Sequence, residues 1–343
     1  MIDLNKTVEQ NQIVDSVRLL LAANHPVARL RQEHVDQEDL GPLREFGAFT
    51  MSLPEGAGGA GLSVVEDCLL HRELGRHLLS PSAIALTLAI RLANEIGDTE
   101  LLDGLVAGRR KVCLGNLLVA RPYLAGEDGH RDSANVHLYD ADGKGLGLIL
   151  CIDGIALVDL PAGTDAEVAA ADHTIRLTRS SIGTLPRFRN AASPIARLAK
   201  LLISAQLLGI CEAARDLASE YAKIRTQFGQ PIGSFQAIKH RCANMAINAE
   251  VLSAQLDFAA IAERDGWEDA GAQIDAAWLL ACRYTIDTCR SAIQVHGGIG
   301  FSAECDAHLH LLRAQLFENL GGTAADRLQR VLEEKFWPAT MDA

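Results

Sequence analysis

The residues between Tyr221 and Gln236 combine side-chain types that suit a nucleotide. Arg225 carries a planar guanidinium that can pair with a phosphate, and Phe228 offers a flat face for an adenine. Gln236 adds an amide that both donates and accepts hydrogen bonds. The same residues also fit a structural role, in which Arg225 compensates a helix dipole and Phe228 packs in the core.

A second stretch runs from Gln294 to Phe301. The two stretches together resemble the acyl-CoA dehydrogenase family, and this resemblance favours the nucleotide-binding role over the structural one. Tyr-x-x-x-Arg-x-Gln-Phe-Gly, then Phe-Gln, is similar to that family's flavin-binding signature, and Gln-x-x-Gly-Gly-x-Gly-Phe is similar to its second one. In the family, both stretches reach across a dimer interface to the pyrophosphate and adenosine of an FAD on the neighbouring subunit. The resemblance therefore implies these cofactor residues: Arg225, Gln227, Phe228, Gln236, Gln294, Gly297 and Gly298. The glycines fit this role, since a backbone approaches a phosphate closely only without a Cβ.

The position of the family's catalytic base is empty in this sequence. The family removes a proton from an acyl-CoA thioester, usually with the Glu of a Tyr-Glu-Gly-Thr segment, while a hydride passes to the flavin. The matching segment here is Leu320-Gly-Gly-Thr, which places Gly321 where the base belongs, and glycine cannot accept a proton. Members with the base on the first bundle helix carry it at the position of Ala199. Glu318 is the only acid nearby, and a solvated helix carboxylate is its plainer interpretation.

The central region also departs from the family pattern. The stretches that hold the isoalloxazine ring in the family are replaced by residues 116–123 and by a short run from Gly145 to Ile152. Together with the missing base, these losses resemble the degenerate subunit of steroid-type α2β2 acyl-CoA dehydrogenases. The chain is therefore predicted to complete the FAD site of a sibling subunit that desaturates an acyl-CoA, with electron-transfer flavoprotein as the electron acceptor. A homo-oligomer, a non-enzymatic scaffold subunit and a flavin-dependent oxygenase on the same fold remain the alternatives.

Two other motifs carry less weight. Gly56, Gly58 and Gly61 have the spacing of a dinucleotide fingerprint, but no strand precedes them. This loop is instead similar to the family's N-terminal Pro-Glu…Gly-Gly-x-Gly loop. His308 and His310 alternate on a predicted helix and point apart, so they do not predict a metal site.

Three regions that differ in predicted secondary structure must position these residues. Residues 1–110 read as helices, residues 111–190 as a reduced β domain, and residues 191–343 as a four-helix bundle. The predicted class is α+β, mainly α, which is the fold that the family resemblance implies.

The boundaries of the elements follow from periodicity and from turn residues. Ser193 is predicted to cap a helix through Ile195–Tyr221, with Pro194 at its first position. Turns at residues 140–145 and 153–154 predict antiparallel strands and hairpins. The predicted helices are 14–28, 66–79, 236–264 and 272–296, and the predicted strands are 112–118, 147–152 and 155–160.

Composition narrows the function classes. The 343 residues carry 32 Lys and Arg against 44 Asp and Glu, and the net charge of −12 disfavours a non-specific nucleic-acid or anionic-membrane binder. The N-terminus lacks the pattern of a secretory signal, and no membrane insertion is expected. Eight cysteines without a C-x-x-C pair are typical of small buried hydrophobes in a reducing cytoplasm.

Overall fold

The computed structural model describes residues 3–31, 38–117, 134–142, 145–160, 166–183 and 185–333. Within these ranges the chain runs from helices through a mixed sheet to a helical bundle, which confirms the mainly helical α+β class. The N-terminal helices are α1 (Val8–Asn24), α2 (Gly41–Glu45), α3 (Val64–Arg76), α4 (Ser82–Ile96) and α5 (Thr99–Val106).

Helices α1 and α3 begin earlier than their apolar spacing predicts, because each starts at a capping box. Thr7 accepts a hydrogen bond from the backbone of Gln10 at 3.2 Å, and Ser63 and Glu66 form the same reciprocal arrangement at the start of α3. A capping box is a polar signal, so apolar periodicity alone did not mark either helix start. Helix α1 also ends before Pro26, whose ring cannot continue a helix, and not at residue 28.

Among the described residues the sheet has seven strands in the order β5-β6-β2-β1-β3-β4-β7. Strand β1 pairs in parallel with β3, so the prediction of antiparallel strands is wrong for this pair. The turn at Asp153 and Gly154 joins β3 to β4 as a hairpin, but the connection after Asp140 joins β2 to β3, which are separated by β1. The strands are β1 (Val112–Leu117), β2 (Ala134–Tyr139), β3 (Gly145–Cys151), β4 (Gly154–Leu160), β5 (Ala166–Val168), β6 (Leu177–Ile182) and β7 (Arg189–Asn190).

The C-terminal bundle is built around the long helix α6 (Pro194–Ile224), capped by Ser193 as predicted. It continues through a short hairpin of β8 (Thr226–Gln227) and β9 (Gln230–Pro231) into α7 (Gln236–Arg264), α8 (Ala270–His296), α9 (Ala307–Glu318) and α10 (Ala324–Glu333). Helix α6 is long and apolar enough to cross a bilayer, but 83% of its most apolar window is buried inside the protein. That burial is the pattern of a core helix.

Two glycines let α3 and α6 cross in backbone contact. A Cβ on Gly75 would stand 2.1 Å from the carbonyl oxygen of Gln206, and one on Gly209 would stand 1.9 Å from that of Arg72. Neither distance is possible for a real Cβ atom, so each position requires glycine. This contact fixes the N-terminal helices directly on the first bundle helix.

A buried ion pair joins the sheet to the bundle. Arg313 on α9 is 1% exposed and donates to Asp172 at 2.7 Å and to Thr174 at 2.9 Å. It also donates to the backbone carbonyls of Leu78 and Leu79, between α3 and α4. One guanidinium therefore ties together all three regions of the chain.

Candidate functional site

The first predicted binding stretch forms the β8–β9 hairpin at the end of α6. Phe228 and Gly229 make its two-residue turn with φ values of +52° and +80°, as in the type I′ turns that match the twist of paired strands. The Phe228 ring is 92% exposed and meets Phe235 edge-on at 6.1 Å. A large aromatic residue held in a left-handed conformation and exposed to solvent is not explained by packing, so the core-packing interpretation of Phe228 is wrong.

The second stretch lies beside the first one. Helix α8 ends at Gly297, whose φ is +67°, and open space surrounds the Cβ positions of Gly297 and Gly298. The rings of Tyr221 and His296 stack with centroids 4.4 Å apart, which joins the end of α6 to the end of α8. The nearest predicted residues of the two stretches, Gln236 and Gln294, are 58 positions apart in the sequence. The packing of the bundle brings the two stretches together.

A surface groove of about 530 Å³ lies between the two stretches. Four predicted residues line it, together with Tyr221 and His296. The remaining three, Gln236, Gln294 and Gly297, are exposed at the adjoining helix ends. The four that line the groove are Arg225, Gln227, Phe228 and Gly298.

The groove combines the chemical groups that a dinucleotide requires. Arg225 is exposed and makes no ion pair with any residue that the structure describes. Phe228 supplies a free aromatic face, and Gly298 leaves its backbone open to close approach. Because the groove is open on its outer side, a dinucleotide bound there would stay partly uncovered by this chain.

The two candidate base positions meet at a different place, between the sheet and the bundle. Ala199 and Gly321 line the same cavity, together with the β3–β4 hairpin, Lys200 and Trp278. Its volume is about 30 Å³, room for roughly two water molecules. Neither lining position carries a proton acceptor, and the cavity is too small for an acyl chain.

Glu318 does not supply the missing base at this cavity. It is the last residue of α9 and is absent from the residues that line the cavity. Its backbone carbonyl accepts a hydrogen bond of 2.8 Å from the buried Arg327, which orders the turn into α10. The geometry thus gives this segment a structural role.

Comparisons with known proteins agree with the two signatures. Family models described as the acyl-CoA dehydrogenase N-terminal and C-terminal domains match residues 7–102 and 192–334. The chain is 30% identical over 296 residues to the acyl-CoA dehydrogenase IpdE2 of Mycobacterium tuberculosis, covering 85% of this chain and 84% of that protein. The chain belongs to the acyl-CoA dehydrogenase family. Residues 103–191 lie outside both family matches, which is the region where the sequence departs from the family pattern.

Other acyl-CoA dehydrogenases show the same relationship at different lengths. FadE34 of Mycobacterium tuberculosis is 32% identical over 310 residues, which cover 84% of this chain, although the chain spans only 41% of FadE34. The fold matches a solved structure of the ChsE4–ChsE5 complex from Mycobacterium tuberculosis with a TM-score of 0.81. That match is 22% identical and covers 98% of this chain and 100% of the other.

Two features of this acyl-CoA dehydrogenase site were not predicted. Asn116 on β1 donates to the carbonyl of Asn319 at 3.0 Å and accepts from the backbone of Gly321 at 3.0 Å, so it clamps the loop at the empty base position. The sequence offered Asn116 only as part of a replaced stretch, and residues 118–123 of that stretch lie outside the described residues. Trp278 was overlooked because a tryptophan at helical spacing is read as core.

Proposed function

We propose that this chain is a subunit of an FAD-dependent acyl-CoA dehydrogenase and completes the FAD site of a catalytic partner subunit. The observation that carries the proposal is that the predicted FAD-binding residues and the two base positions lie at different places in the molecule. The groups suited to FAD surround an open surface groove of about 530 Å³, whereas the two base positions face a cavity of only about 30 Å³ whose lining contains no carboxylate.

The side chains and backbone that line the groove are chemically suited to FAD. Arg225 would pair with the pyrophosphate, Gly297 and Gly298 would admit it to the backbone, and Phe228 would stack on the adenine. Gln227, Gln236 and Gln294 would satisfy the polar groups of the adenosine half. When bound, FAD supplies a hydride acceptor for the desaturation of an acyl-CoA thioester. This chain's own residues would hold the dinucleotide on one side, and they leave proton abstraction to the partner.

The assembly that follows from this proposal is heteromeric. A sibling subunit with an intact Tyr-Glu-Gly-Thr segment would bind the acyl-CoA and supply the carboxylate base. We further propose a steroid-type acyl-CoA as substrate class, an electron-transfer flavoprotein as acceptor and a cytoplasmic location. The ChsE4–ChsE5 complex, by its name, is an assembly of two different chains, and the overall fold is shared with it.

The test is flavin content after co-expression with the candidate partner dehydrogenase. Arg225→Ala and Gln294→Ala should each release most of the FAD from the purified complex, measured from the flavin absorbance per complex. Arg264→Ala is the matched control, because Arg264 is an exposed arginine at the far end of α7 whose ion pair among the described residues is with its neighbour Asp265. Unchanged flavin content in both variants would support a scaffold subunit that binds no FAD. Full acyl-CoA dehydrogenation by the isolated chain would refute the partner role.

A further inference from the structure

Trp278 on α8 lies beside the two empty base positions. The residue is 3% exposed, and it lines the 30 Å³ cavity with Ala199 and Gly321. Its indole nitrogen is buried and has no hydrogen-bond partner among the described residues. A buried N–H of this kind costs free energy, so packing alone does not account for an indole at this position.

The ring is held from two sides by cations. The Lys200 ammonium lies 5.8 Å from the ring centroid, and the Arg327 guanidinium lies 5.0 Å from it. Lys200 is itself paired with the buried Asp275, and Arg327 donates to the carbonyls of Glu318 and Gly322. These anchors keep the indole between α6 and the loop that carries Gly321.

The indole also crowds a side chain at the base position. A Cβ built on Gly321 would stand 3.2 Å from Cη2 and 3.4 Å from Cζ2 of Trp278, so the ring would have to shift by a few tenths of an ångström. Gly321 further has a φ of +69°, which side chains rarely adopt. A glutamate there would therefore be both crowded by the indole and strained in its backbone.

The geometry points to Trp278 as the side chain that closes this chain's own acyl pocket, so that an acyl thioester enters only the partner subunit. This inference rests on the proposed function, because it treats the cavity beside Ala199 and Gly321 as the counterpart of the substrate pocket. Trp278 would then determine which subunit of the assembly takes substrate. The ligand class it excludes is the acyl chain of a CoA thioester, whereas the CoA moiety itself would remain outside the closed space.

The test compares the affinities of free CoA and butyryl-CoA for the full-length chain by calorimetry, so that the acyl contribution is isolated as a ratio. In the wild-type protein the ratio should be close to one. Trp278→Ala should raise the preference for butyryl-CoA roughly fiftyfold, since three carbons gain an apolar site. Trp267→Ala is the control, because Trp267 packs edge-on against Phe258 at 5.3 Å and does not line the cavity. A wild-type preference as large as that of Trp278→Ala, or no preference in a folded Trp278→Ala protein, would overturn the inference.

A second measurement does not depend on the folding of that variant. The sequence has three tryptophans. With Trp267→Phe and Trp337→Phe, Trp278 is the one that remains, so the tryptophan emission of the protein reports Trp278 alone. Butyryl-CoA should leave this emission unchanged, and a saturable change would show that the acyl chain reaches the indole and would overturn the inference. These outcomes are separable from failure of the proposed function, because that proposal is judged by the flavin content of Arg225→Ala complexes.

Discussion

Replacing Arg313 by methionine tests whether the three regions of the chain depend on one buried cation. Methionine keeps an unbranched apolar chain in the same space but removes every donor. Asp172, whose side chain is 1% exposed, then loses its ion pair of 2.7 Å, and the carbonyls of Leu78 and Leu79 lose their hydrogen bonds. Removing one partner of such a buried pair costs about 3–5 kcal/mol, because an uncompensated charge stays inside.

The loss should depend on pH in a definite direction. Burial by itself raises the pKa of the Asp172 carboxyl, but the charge of Arg313 and hydrogen bonds from Thr174 and Arg313 outweigh burial and hold that pKa below its usual range. In the wild type this contribution is therefore complete above the unfolded value of about 3.9 and is lost as pH falls through the lower folded value. In Arg313→Met the hydrogen bonds from Thr174 remain, but the opposing cation is lost, so the pKa of Asp172 rises and protonation relieves the charge on acidification. The deficit of the variant should be largest at pH 7 and should shrink toward pH 4.

Urea unfolding of both proteins at pH 7 and pH 4.5, followed by circular dichroism, measures this deficit. Arg264→Met serves as control, since the pair of Arg264 and Asp265 is exposed to solvent and should contribute little to stability. A deficit below about 1 kcal/mol for Arg313→Met at pH 7, or one that grows on acidification, would refute the reasoning.

Two further predictions concern a buried acid and the hairpin turn. Burial raises the pKa of Asp67 to about 6, above its model-peptide value of 3.8, so the stability linked to its neutral form is complete below pH 3.8 and is lost as pH rises through 6. Asp67→Asn should therefore match the wild type near pH 4 and exceed its unfolding free energy by up to about 3 kcal/mol at pH 8, and equal stabilities at pH 8 in urea unfolding would contradict this. Phe228→Gly should stabilise the isolated chain by about 0.5–1 kcal/mol, because it removes a left-handed phenylalanine, and should lower the flavin content of the partner complex. A thermal melt with a lower midpoint than wild type, or full flavin retention, would argue against that pair of effects, and Gly229→Ala at φ +80° should show a lower midpoint as its control.

The sequence predicted helix boundaries correctly where those boundaries depend on residues that are close together in the chain. Helix α7 has the predicted bounds Gln236–Arg264, and Ser193 caps α6 as expected. The caps of α1 and α3 were also present in the sequence as Thr and Ser three residues before Gln and Glu, but an argument from apolar spacing does not use such polar signals. Such boundaries are encoded within four residues of the helix start.

Strand pairing was harder to predict from the sequence, because each strand pairs with partners that are distant in the chain. Strand β1 contacts β2 and β3 on its two sides, and only the assembled sheet decides that one pairing is antiparallel and the other parallel. The turn residues around Asp140 indicated a change of direction, but they carried no information on which strand lies next in the sheet.

The sequence by itself determined that this chain carries both flavin-binding signatures and that glycine and alanine stand at the two base positions, because these are statements about residue types at fixed spacings. Only the tertiary structure decided that Ala199 and Gly321 line one small cavity, that Trp278 lines it with them, and that Arg225 and Phe228 line an open groove. The reason is that contact and exclusion depend on volume in three dimensions. Trp278 lies 43 residues from Gly321 in the chain, and only the packing of α8 against the loop after α9 brings its ring within 3.2 Å of the missing side chain.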